Sequence, residues 1–356
     1  MGMSLSGDDG GALLAWYDRE KRKLPWRNTN DPYAVWVSEI MLQQTQVTTV
    51  LPFWHRWMET FPTVESLAEA DEQAVLSIWQ GLGYYRRCRK LLQGARWVVQ
   101  YGFPTTPDGW LKVPGVGRYT AGAISSIAFG AHAPVVDGNV ERVYARLTGD
   151  DGTDRDLNLA AWEWAKQNLF LKRPGDWNQS LMELGAVVCK PISPDCDRCP
   201  LATQCVAKQS WRVDDLPTKM PQLKIVKMRN TVWVPVFENQ IGLRQIASGQ
   251  WWEGMWEFPR AEWIEDMEHP HLREIIGQGW VESVGVVRHS VTNHRITIDV
   301  SFIRCKEKSS LLEWFEPIQL ESLPMPAPQR RILNLILSTK SVWNNVEPLS
   351  SLTARF

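Results

Sequence analysis

Four cysteines in one short stretch constrain the fold of this chain more than any other feature. Cys189, Cys196, Cys199 and Cys205 follow the spacing C-x6-C-x2-C-x5-C, with prolines and aspartates between them that favour loops. Four thiolates on such loops can hold one metal centre, either a structural zinc ion or a [4Fe–4S] cluster. The wide first gap, beside a single short C-x2-C pair, favours the bulkier cluster.

A disulfide framework is the weaker alternative, because nothing else in the sequence marks the chain as secreted. We interpret Cys88 and Cys305, which stand alone, as unpaired structural cysteines. The chain opens with polar, glycine-rich residues and without a signal-peptide pattern, so we expect a disordered stub over residues 1–12 and a cytoplasmic location. The longest mildly apolar stretch, residues 121–136, contains glycine, histidine and proline, which is typical of a buried helix and its exit and not of a membrane span.

The length of 356 residues exceeds one ordinary domain, so we expect two folding units. The net charge of −1 and the pI near 6.6 do not by themselves indicate a nucleic-acid-binding protein, so any phosphate binding has to come from a local arrangement of residues. We assign most of the 20 tryptophans to cores and helix packing.

The periodicity of apolar residues changes from helical to strand-like near residue 215. We therefore predict a multidomain protein with an all-α domain followed by an α+β domain. The predicted parts are a helical domain over residues 13–215, a linker over 216–229, an α+β domain over 230–340 and a tail over 341–356. Within the α+β domain we predict a hairpin over 230–245, strands over 283–288 and 295–305, and a helix over 327–338.

A glycine turn between two predicted helices is the first motif with a chemical meaning. It contains Gly115 and Gly117 and forms a helix-hairpin-helix pattern over about residues 106–125. The two glycines permit an otherwise strained turn, and the backbone N–H groups that start the second helix make an anion site suited to a DNA phosphate. An ordinary connection between helices is the alternative.

Two carboxylates occupy positions that allow catalysis. Asp137 follows an apolar run just ahead of a predicted helix, where an N-cap is the commonest role of aspartate. Glu39 lies at an otherwise apolar helix start, where it could simply favour the helix dipole. A partly buried Glu39 with a raised pKa would instead be a general acid. The residues alone leave both roles open.

Two adjacent tyrosines, Tyr84 and Tyr85, stand beside four cationic residues at the head of a predicted helix. A solvated helix face explains the cations adequately. Aromatic side chains joined to a phosphate-binding face would also suit a protein that pushes bases out of the DNA stack.

These motifs, in this order, resemble the helix-hairpin-helix DNA glycosylases and specifically the adenine DNA glycosylase (MutY) family. The matching segments are L-P-W-R at 24–27, S-E-I-M-L-Q-Q-T-Q-V at 38–47, G-L-G-Y-Y at 81–85, V-P-G-V-G-R-Y-T-A-G at 113–122, V-D-G-N-V at 136–140 and the four cysteines. The related endonuclease III branch carries a Schiff-base lysine where this chain has Tyr119, and it lacks a second domain.

The resemblance implies two helical lobes around a cleft, a [4Fe–4S] cluster on the four cysteines, and a monomer that excises adenine mispaired with 8-oxoguanine or guanine in double-stranded DNA. Glu39 would protonate the flipped adenine and Asp137 would stabilise or covalently trap the sugar cation, with Tyr119 and Asn139 supporting the pair. The residues that would contact the substrate are Leu24, Trp26, Arg27 and Gln179 in the adenine pocket, Gly115 and Gly117 in the hairpin, and Gln44 and Tyr84 as wedges in the duplex.

The C-terminal half resembles, more weakly, the Nudix-like domain with which this family recognises 8-oxoguanine. Residues 252–259 match its G-x-W-x-F-P-type segment, and no complete Nudix metal box follows, so we do not expect a pyrophosphatase. The family's F-S-H triplet aligns with Val291-Thr292-Asn293, so Thr292 keeps the hydroxyl while the Phe and His are absent.

Three alternatives to an adenine glycosylase follow from the same motifs. They are a helix-hairpin-helix glycosylase for another mispaired base, such as thymine opposite guanine, an endonuclease III-like enzyme, and a non-catalytic binder of damaged DNA. The presence of both Glu39 and Asp137 argues against the binder, which needs neither carboxylate.

Overall fold

A computed structural model describes residues 8–218, 224–261 and 280–339, which form two compact units. The first unit contains residues 8–70 and 87–218, and the second contains residues 71–86 with the described residues from 224 onwards. Residues 1–7 of the predicted stub and the predicted tail lie outside the described residues, whereas residues 8–12 of that stub begin a helix. Among the described helices, none combines the length and the apolar character needed to cross a membrane.

The described chain up to residue 218 is helical, as predicted. Its α-helices are α1 (Asp8–Glu20), α2 (Pro32–Leu42), α3 (Val47–Thr60), α4 (Val64–Glu69), α5 (Glu72–Trp79), α6 (Tyr85–Tyr101), α7 (Pro107–Trp110), α8 (Arg118–Phe129), α9 (Gly138–Thr148), α10 (Asp154–Gln167), α11 (Pro174–Val187) and α12 (Val206–Gln209). Short 3-10 helices lie at Pro25–Arg27, Cys196–Arg198 and Ala202–Gln204.

Helix α2 is the central helix of the first unit. Asp31 caps it by accepting a hydrogen bond from the Tyr33 N–H at 3.0 Å, and Pro32 fits its first position, where no N–H is needed. Nine of its eleven residues are buried, because its sequence is apolar on nearly every side. The helix therefore carries Glu39 into the protein interior.

Helices α1, α9, α10 and α11 share one apolar core, and three of the four motif cysteines pack against it. Gly185 of α11 approaches α9 so closely that an added Cβ would lie 2.6 Å from the Cβ of Asn139. This close approach fixes the start of α9, which carries Asp137 at its N-cap.

The second unit is built on one mixed sheet. Its strands are β1 (Val226–Phe237), β2 (Gln240–Gln245), β3 (Trp256–Glu257), β4 (Arg260–Ala261), β5 (Trp280–Val291), β6 (His294–Arg304) and β7 (Glu313–Phe315). Their order in the sheet is β3-β2-β1-β6-β5, with β4 paired to β1 and β7 to β2. A 3-10 helix (Pro317–Glu321) and helix α13 (Ala327–Ser338) follow, and α13 covers the apolar face of the sheet.

The predicted hairpin is present as the antiparallel pair β1–β2, and the later predicted strands form the long antiparallel ribbon β5–β6. Strand β1 begins four residues before the predicted domain start at 230, because its parallel pairing with β6 already starts at Val226 opposite His294. This pairing joins segments far apart in sequence, so local periodicity does not reveal it.

Nothing in the sequence indicates that residues 71–86 belong to the same unit as the sheet. Gln73 donates a hydrogen bond to the Gly254 carbonyl at 3.0 Å, and Ser77 donates one to the Ser322 carbonyl at 3.2 Å. Helix α5 is thereby held to loops of the second unit, although its own periodicity resembles that of its helical neighbours.

Candidate active site

An open cleft of about 1230 Å³ in the first unit brings together most of the predicted site residues. Pockets for small molecules typically measure roughly 300–1,000 Å³, so this cleft has room for a nucleotide with some of its strand. The predicted residues that line it are Leu24, Trp26, Arg27, Glu39, Gln44, Gly115, Gly117, Tyr119, Asp137, Asn139 and Gln179. Tyr84 and Thr292 belong to the second unit.

Glu39 is a buried carboxyl with a single hydrogen bond from the described residues. Only 6% of the residue is exposed, and its Oε2 accepts a bond of 2.8 Å from the Tyr119 hydroxyl, which also lies 3.2 Å from the Met182 sulfur. Burial is the main cause that raises the pKa of Glu39. The bond from Tyr119 and the charge of Arg27 lower this pKa and the charge of Asp137 raises it, so that together they bring the pKa to about 7. The buried carboxyl is therefore suited to hold and deliver a proton near neutral pH.

Asp137 is held quite differently, by three hydrogen bonds. Its Oδ1 accepts from the N–H groups of Asn139 at 2.9 Å and Val140 at 2.8 Å, and its Oδ2 accepts from the Asn139 side chain at 2.8 Å. Burial raises the pKa of Asp137, and these three bonds oppose that shift. Asp137 is both an N-cap and a cleft carboxylate, so its capping role fixes the carboxylate orientation in the cleft.

A second buried carboxylate in the cleft, Glu183, was missed from the sequence. It is fully buried on α11 and accepts hydrogen bonds from Arg22 at 2.8 and 2.7 Å and from Arg27 at 2.7 Å. Burial alone would raise the pKa of Glu183, but the bonds from the two arginines outweigh it and lower the pKa to about 2. The sequence does contain a feature that could have indicated Glu183, because it is a charged residue within an apolar stretch of α11. Glu39 stands out in α2 in the same way.

The two hairpin glycines have different roles, which corrects the prediction that both permit a strained turn. Gly115 has φ +84°, and an added Cβ would lie 2.4 Å from the Cβ of Lys90, so this position requires glycine. Gly117 has φ −99° and is the N-cap of α8, with nothing within 4 Å of an added Cβ. The following Arg118 stacks on the Trp162 ring at 3.8 Å, beside the N–H groups that start α8.

The predicted wedge residues and Thr292 share an unusual backbone conformation. Gln44, Tyr84 and Thr292 have φ values of +56°, +49° and +49°. Such values are uncommon outside glycine and cluster at functional sites. At Gln44 the surrounding loop is held by Arg87, whose guanidinium donates to the Ile40 carbonyl at 2.9 Å and also to the carbonyl of Gln43.

The four motif cysteines line one small cavity behind the cleft, together with Arg146 and Lys208. All six cysteines of the chain lie in the described part, and none forms a disulfide there. Among the described residues, no three ligating side chains are gathered closely enough to hold a single metal ion. The pKa of the Cys199 thiol is raised to about 12, mainly by burial and in smaller part by the other thiols of the run, while a backbone hydrogen bond at Leu201 opposes the rise.

Two arginines of α9, not identified from the sequence, hold the cysteine loop, and the first of them also contacts the cleft. Arg142 donates 2.8 Å hydrogen bonds to the carbonyl of Cys189 and to Oδ1 of Asn139, the residue that holds Asp137. Arg146, one turn later, donates to the Lys190 carbonyl at 2.8 Å and lies 3.4 Å from the Cys189 sulfur. The sequence could have indicated these arginines, because they follow the D-G-N segment four residues apart and therefore lie on the same face of the helix.

Known protein families match both units. Residues 37–167 match the HhH-GPD superfamily of base excision DNA repair proteins, and residues 231–335 match the NUDIX domain. An adenine DNA glycosylase of Arabidopsis thaliana is 41% identical over 310 residues, covering 74% of this chain and 49% of the relative. The human adenine DNA glycosylase is 49% identical over 58% of this chain and 40% of the relative. The chain thus spans less than half the length of these two relatives.

A bacterial relative is matched over more of its length. The adenine DNA glycosylase of Buchnera aphidicola subsp. Baizongia pistaciae is 31% identical, covering 70% of this chain and 72% of the relative. Among solved structures, a thermostable thymine-DNA glycosylase has a TM-score of 0.53 at 28% identity, over 56% of this chain and 95% of that one. An endonuclease III trapped on DNA has a TM-score of 0.50 at 22% identity and covers 57% of this chain and 95% of its own. This likeness shows that the two proteins share a fold.

The raised pKa of Glu39 predicts that this residue destabilises the folded protein at high pH. The folded state keeps the Glu39 proton up to about pH 7, whereas the unfolded chain releases it near pH 4.5, so stability is lost as the pH rises between these values. Glu39→Gln should therefore raise the unfolding free energy above pH 7 by up to about 3 kcal/mol, at about 1.4 kcal/mol per pKa unit, and change it little near pH 4.5.

Thermal and urea denaturation of both proteins at about pH 4.5 and pH 8 measure this difference. The control Glu59→Gln changes an exposed glutamate on α3 and should show no such pH-dependent gain. A Glu39→Gln protein less stable than wild type at pH 8 would contradict the assignment of a raised pKa.

Proposed function

The chain belongs to the adenine DNA glycosylase family, and from that premise we propose that it hydrolyses the N-glycosidic bond of adenine mispaired with 8-oxoguanine or guanine in double-stranded DNA. The observation that carries the proposal is the pairing in one cleft of two carboxylates, the buried Glu39 with one hydrogen bond and the partly buried Asp137 with three. Environments that differ in this way are typical of acid and stabiliser pairs in glycoside hydrolysis.

Glu39 acts as the general acid in the proposed reaction. Adenine leaves poorly as an anion, so the flipped base must be protonated as the bond to the sugar breaks. The Tyr119 hydroxyl donates a hydrogen bond to Oε2 of Glu39. Oε1 accepts no hydrogen bond from the described residues, so it can carry the proton and donate it to the base. The raised pKa keeps a substantial fraction of Glu39 protonated near neutral pH.

Asp137 stabilises the sugar, which becomes oxocarbenium-like as adenine departs. The hydrogen bonds from Asn139 and Val140 orient the carboxylate and oppose the rise in its pKa, so they favour the ionised form that this role requires. Water completes the hydrolysis at the sugar carbon. With Tyr119 at the position of the lyase lysine, no imine to the sugar is needed.

The adenine pocket is formed by Leu24, Trp26 and Arg27, with Gln179 on the facing helix α11. Glu183 accepts a 2.7 Å hydrogen bond from the guanidinium of Arg27 and thereby fixes this side chain, which forms the polar side of the adenine pocket. Base flipping costs a few kcal/mol, and Gln44 and Tyr84 offset part of that cost by entering the duplex. Arg118 and the N–H groups at the start of α8 hold a DNA phosphate, the role expected for the Gly115–Gly117 hairpin.

The C-terminal unit recognises 8-oxoguanine in this proposal, with Thr292 as one polar contact. Its support is the match of residues 231–335 to the NUDIX domain and the exposed position of Thr292 at the tip of the β5–β6 ribbon. The protein acts as a monomer.

We also propose that Cys189, Cys196, Cys199 and Cys205 hold a [4Fe–4S] cluster. The four thiols line one cavity, as ligands of a single centre must, and the wide first gap in their C-x6-C-x2-C-x5-C spacing suits a multi-atom cluster better than one zinc ion. When bound, the cluster supplies a structural crosslink, since hydrolysis transfers no electrons. Arg146 and Lys208 place positive charge beside the thiolates that it needs.

Release of free adenine is the direct test of the activity. The full chain should release adenine from a duplex with adenine opposite 8-oxoguanine under single-turnover conditions, and release no thymine from a thymine:guanine duplex. Glu39→Gln and Asp137→Asn should each lower the rate by about 10²-fold or more, because one removes the proton and the other the negative charge. Asp156→Asn, an exposed carboxylate on α10, should leave the rate unchanged. Near-wild-type rates for either cleft variant would refute its assigned role.

The cluster proposal predicts about four irons per chain after anaerobic purification, with a yellow-brown colour. Cys199→Ser should lower both the iron content and the soluble yield, because it removes a ligand that packs against the core. Cys305→Ser, outside the run and in the other unit, should retain the iron. Stoichiometric zinc without iron in the wild-type protein would overturn the cluster assignment.

A further inference from the structure

Four aromatic rings of the second unit form a cluster beside the tip of the β5–β6 ribbon. This tip cluster consists of Trp251, Trp252, His289 and His294. The ring centroids of Trp251 and His294 lie 5.0 Å apart, those of Trp252 and His289 6.1 Å apart, and those of the two tryptophans 6.0 Å apart. The cluster adjoins the position at which this chain lacks the Phe and His of the family triplet.

Trp251 offers an open aromatic face. The residue is 45% exposed, which is unusual for a tryptophan that already contacts two other rings. Its contacts with Trp252 and His294 are nearly perpendicular, at 74° and 79°, so no described ring is stacked parallel on the indole. A flat, electron-rich face of this kind is the usual stacking surface for an unpaired base.

The loop that carries Trp251 is held in place before any ligand binds. Glu253 accepts hydrogen bonds from the Ser248 hydroxyl at 3.0 Å and the Gly249 N–H at 2.8 Å, and the Gly254 N–H donates to the Ile246 carbonyl at 2.8 Å. Trp252 has φ +64°, a conformation that is a clear outlier for a bulky residue. Strain of this kind persists where the surrounding structure fixes it and often marks a binding surface.

Polar and cationic groups flank His294 along the chain, the residue whose ring Trp251 contacts. The register places Val291 opposite His294, so Thr292 and Asn293 form the turn, and the exposed Thr292 hydroxyl lies at its end. Arg295, also exposed, donates to the Thr292 carbonyl at 3.5 Å and adds a positive charge. A stacking face, a hydroxyl and a guanidinium together match a base with its backbone phosphate.

We propose that Trp251 is the stacking surface, and Thr292 the polar contact, for the purine opposite the adenine, with 8-oxoguanine as the preferred base. Trp251 thus supplies an aromatic surface beside the turn at which this chain lacks the Phe of the family triplet. This inference rests on the proposed function, because it assigns residues to recognition of the mispair.

The test measures the affinity of the full chain for three duplexes by fluorescence anisotropy. The duplexes carry a non-hydrolysable adenosine analogue opposite 8-oxoguanine, guanine or an abasic site. Trp251→Ala should weaken binding to the two purine duplexes by roughly tenfold or more, as expected for loss of one base–aromatic stack, and leave the abasic duplex unaffected. Thr292→Ala should weaken binding of 8-oxoguanine more than that of guanine.

Three further variants make the measurement specific. Trp251→Phe should retain the tighter binding of the two purine duplexes over the abasic duplex, whereas Trp251→Leu, which keeps apolar volume without a ring, should lose it. Leu311→Ala changes a residue of the same unit with a matching exposure of 44% and should leave all three affinities unchanged. Melting temperatures verify that each variant is folded.

Equal affinities of Trp251→Ala and wild type for the 8-oxoguanine duplex would overturn the proposal, as would an equal loss on the abasic duplex, which indicates a general DNA contact. The binding measurement does not require catalysis. A wild-type protein that releases no adenine would refute the proposed function, while tighter wild-type binding of the purine duplexes than of the abasic duplex that Trp251→Leu abolishes would still support this inference.

Discussion

The hydrogen bond between the Tyr119 hydroxyl and the buried carboxyl of Glu39 is the interaction on which the site depends. It joins α2, the central helix of the first unit, to α8, the second helix of the hairpin, so the same hairpin that we propose to bind a DNA phosphate also positions Glu39, the proposed acid. Burial of a carboxyl costs free energy unless it is paired or protonated. Here the protein provides one hydroxyl and no counter-charge in direct contact, so the carboxyl tends to keep its proton. Tyr119 has a pKa well above its usual range, because of burial and of the two nearby carboxylates, and its hydroxyl therefore remains a donor.

Three carboxylates of the cleft differ because their neighbours differ. Glu39 has one neutral partner, Asp137 has three hydrogen bonds at a helix start, and Glu183 has two guanidinium groups. The pKa of Glu39 is accordingly raised to about 7 and that of Glu183 lowered to about 2 within one cleft. A proton donor and a fixed anion can therefore coexist. The chain Asp137–Asn139–Arg142 extends this order to the carbonyl of Cys189, so the geometry of the cysteine loop and that of the cleft are mechanically connected.

Short motifs in the sequence predicted which residues meet in the cleft, because each motif brings its own local geometry. The D-G-N segment makes an N-cap, and the glycine hairpin makes a helix start. Properties that depend on distant partners were not predictable in this way. The role of Glu39 stayed open because its burial is set by the packing of other helices around α2, and Glu183 was missed because its partner Arg22 is 161 residues away. For the same reason residues 71–86 gave no sign that they belong with the sheet.

The pH dependence of adenine release tests the central claim most directly. If Glu39 is the acid and burial raises its pKa to about 7, the single-turnover rate on an 8-oxoguanine:adenine duplex should be highest at acidic pH and fall as the pH rises through about 7. The sign follows from the chemistry, because only the protonated carboxyl can donate. Rates measured from about pH 5 to about pH 9, with unfolding monitored in parallel, give this profile. A rate that stays constant across that range, or that rises with pH, would contradict Glu39 as the proton donor.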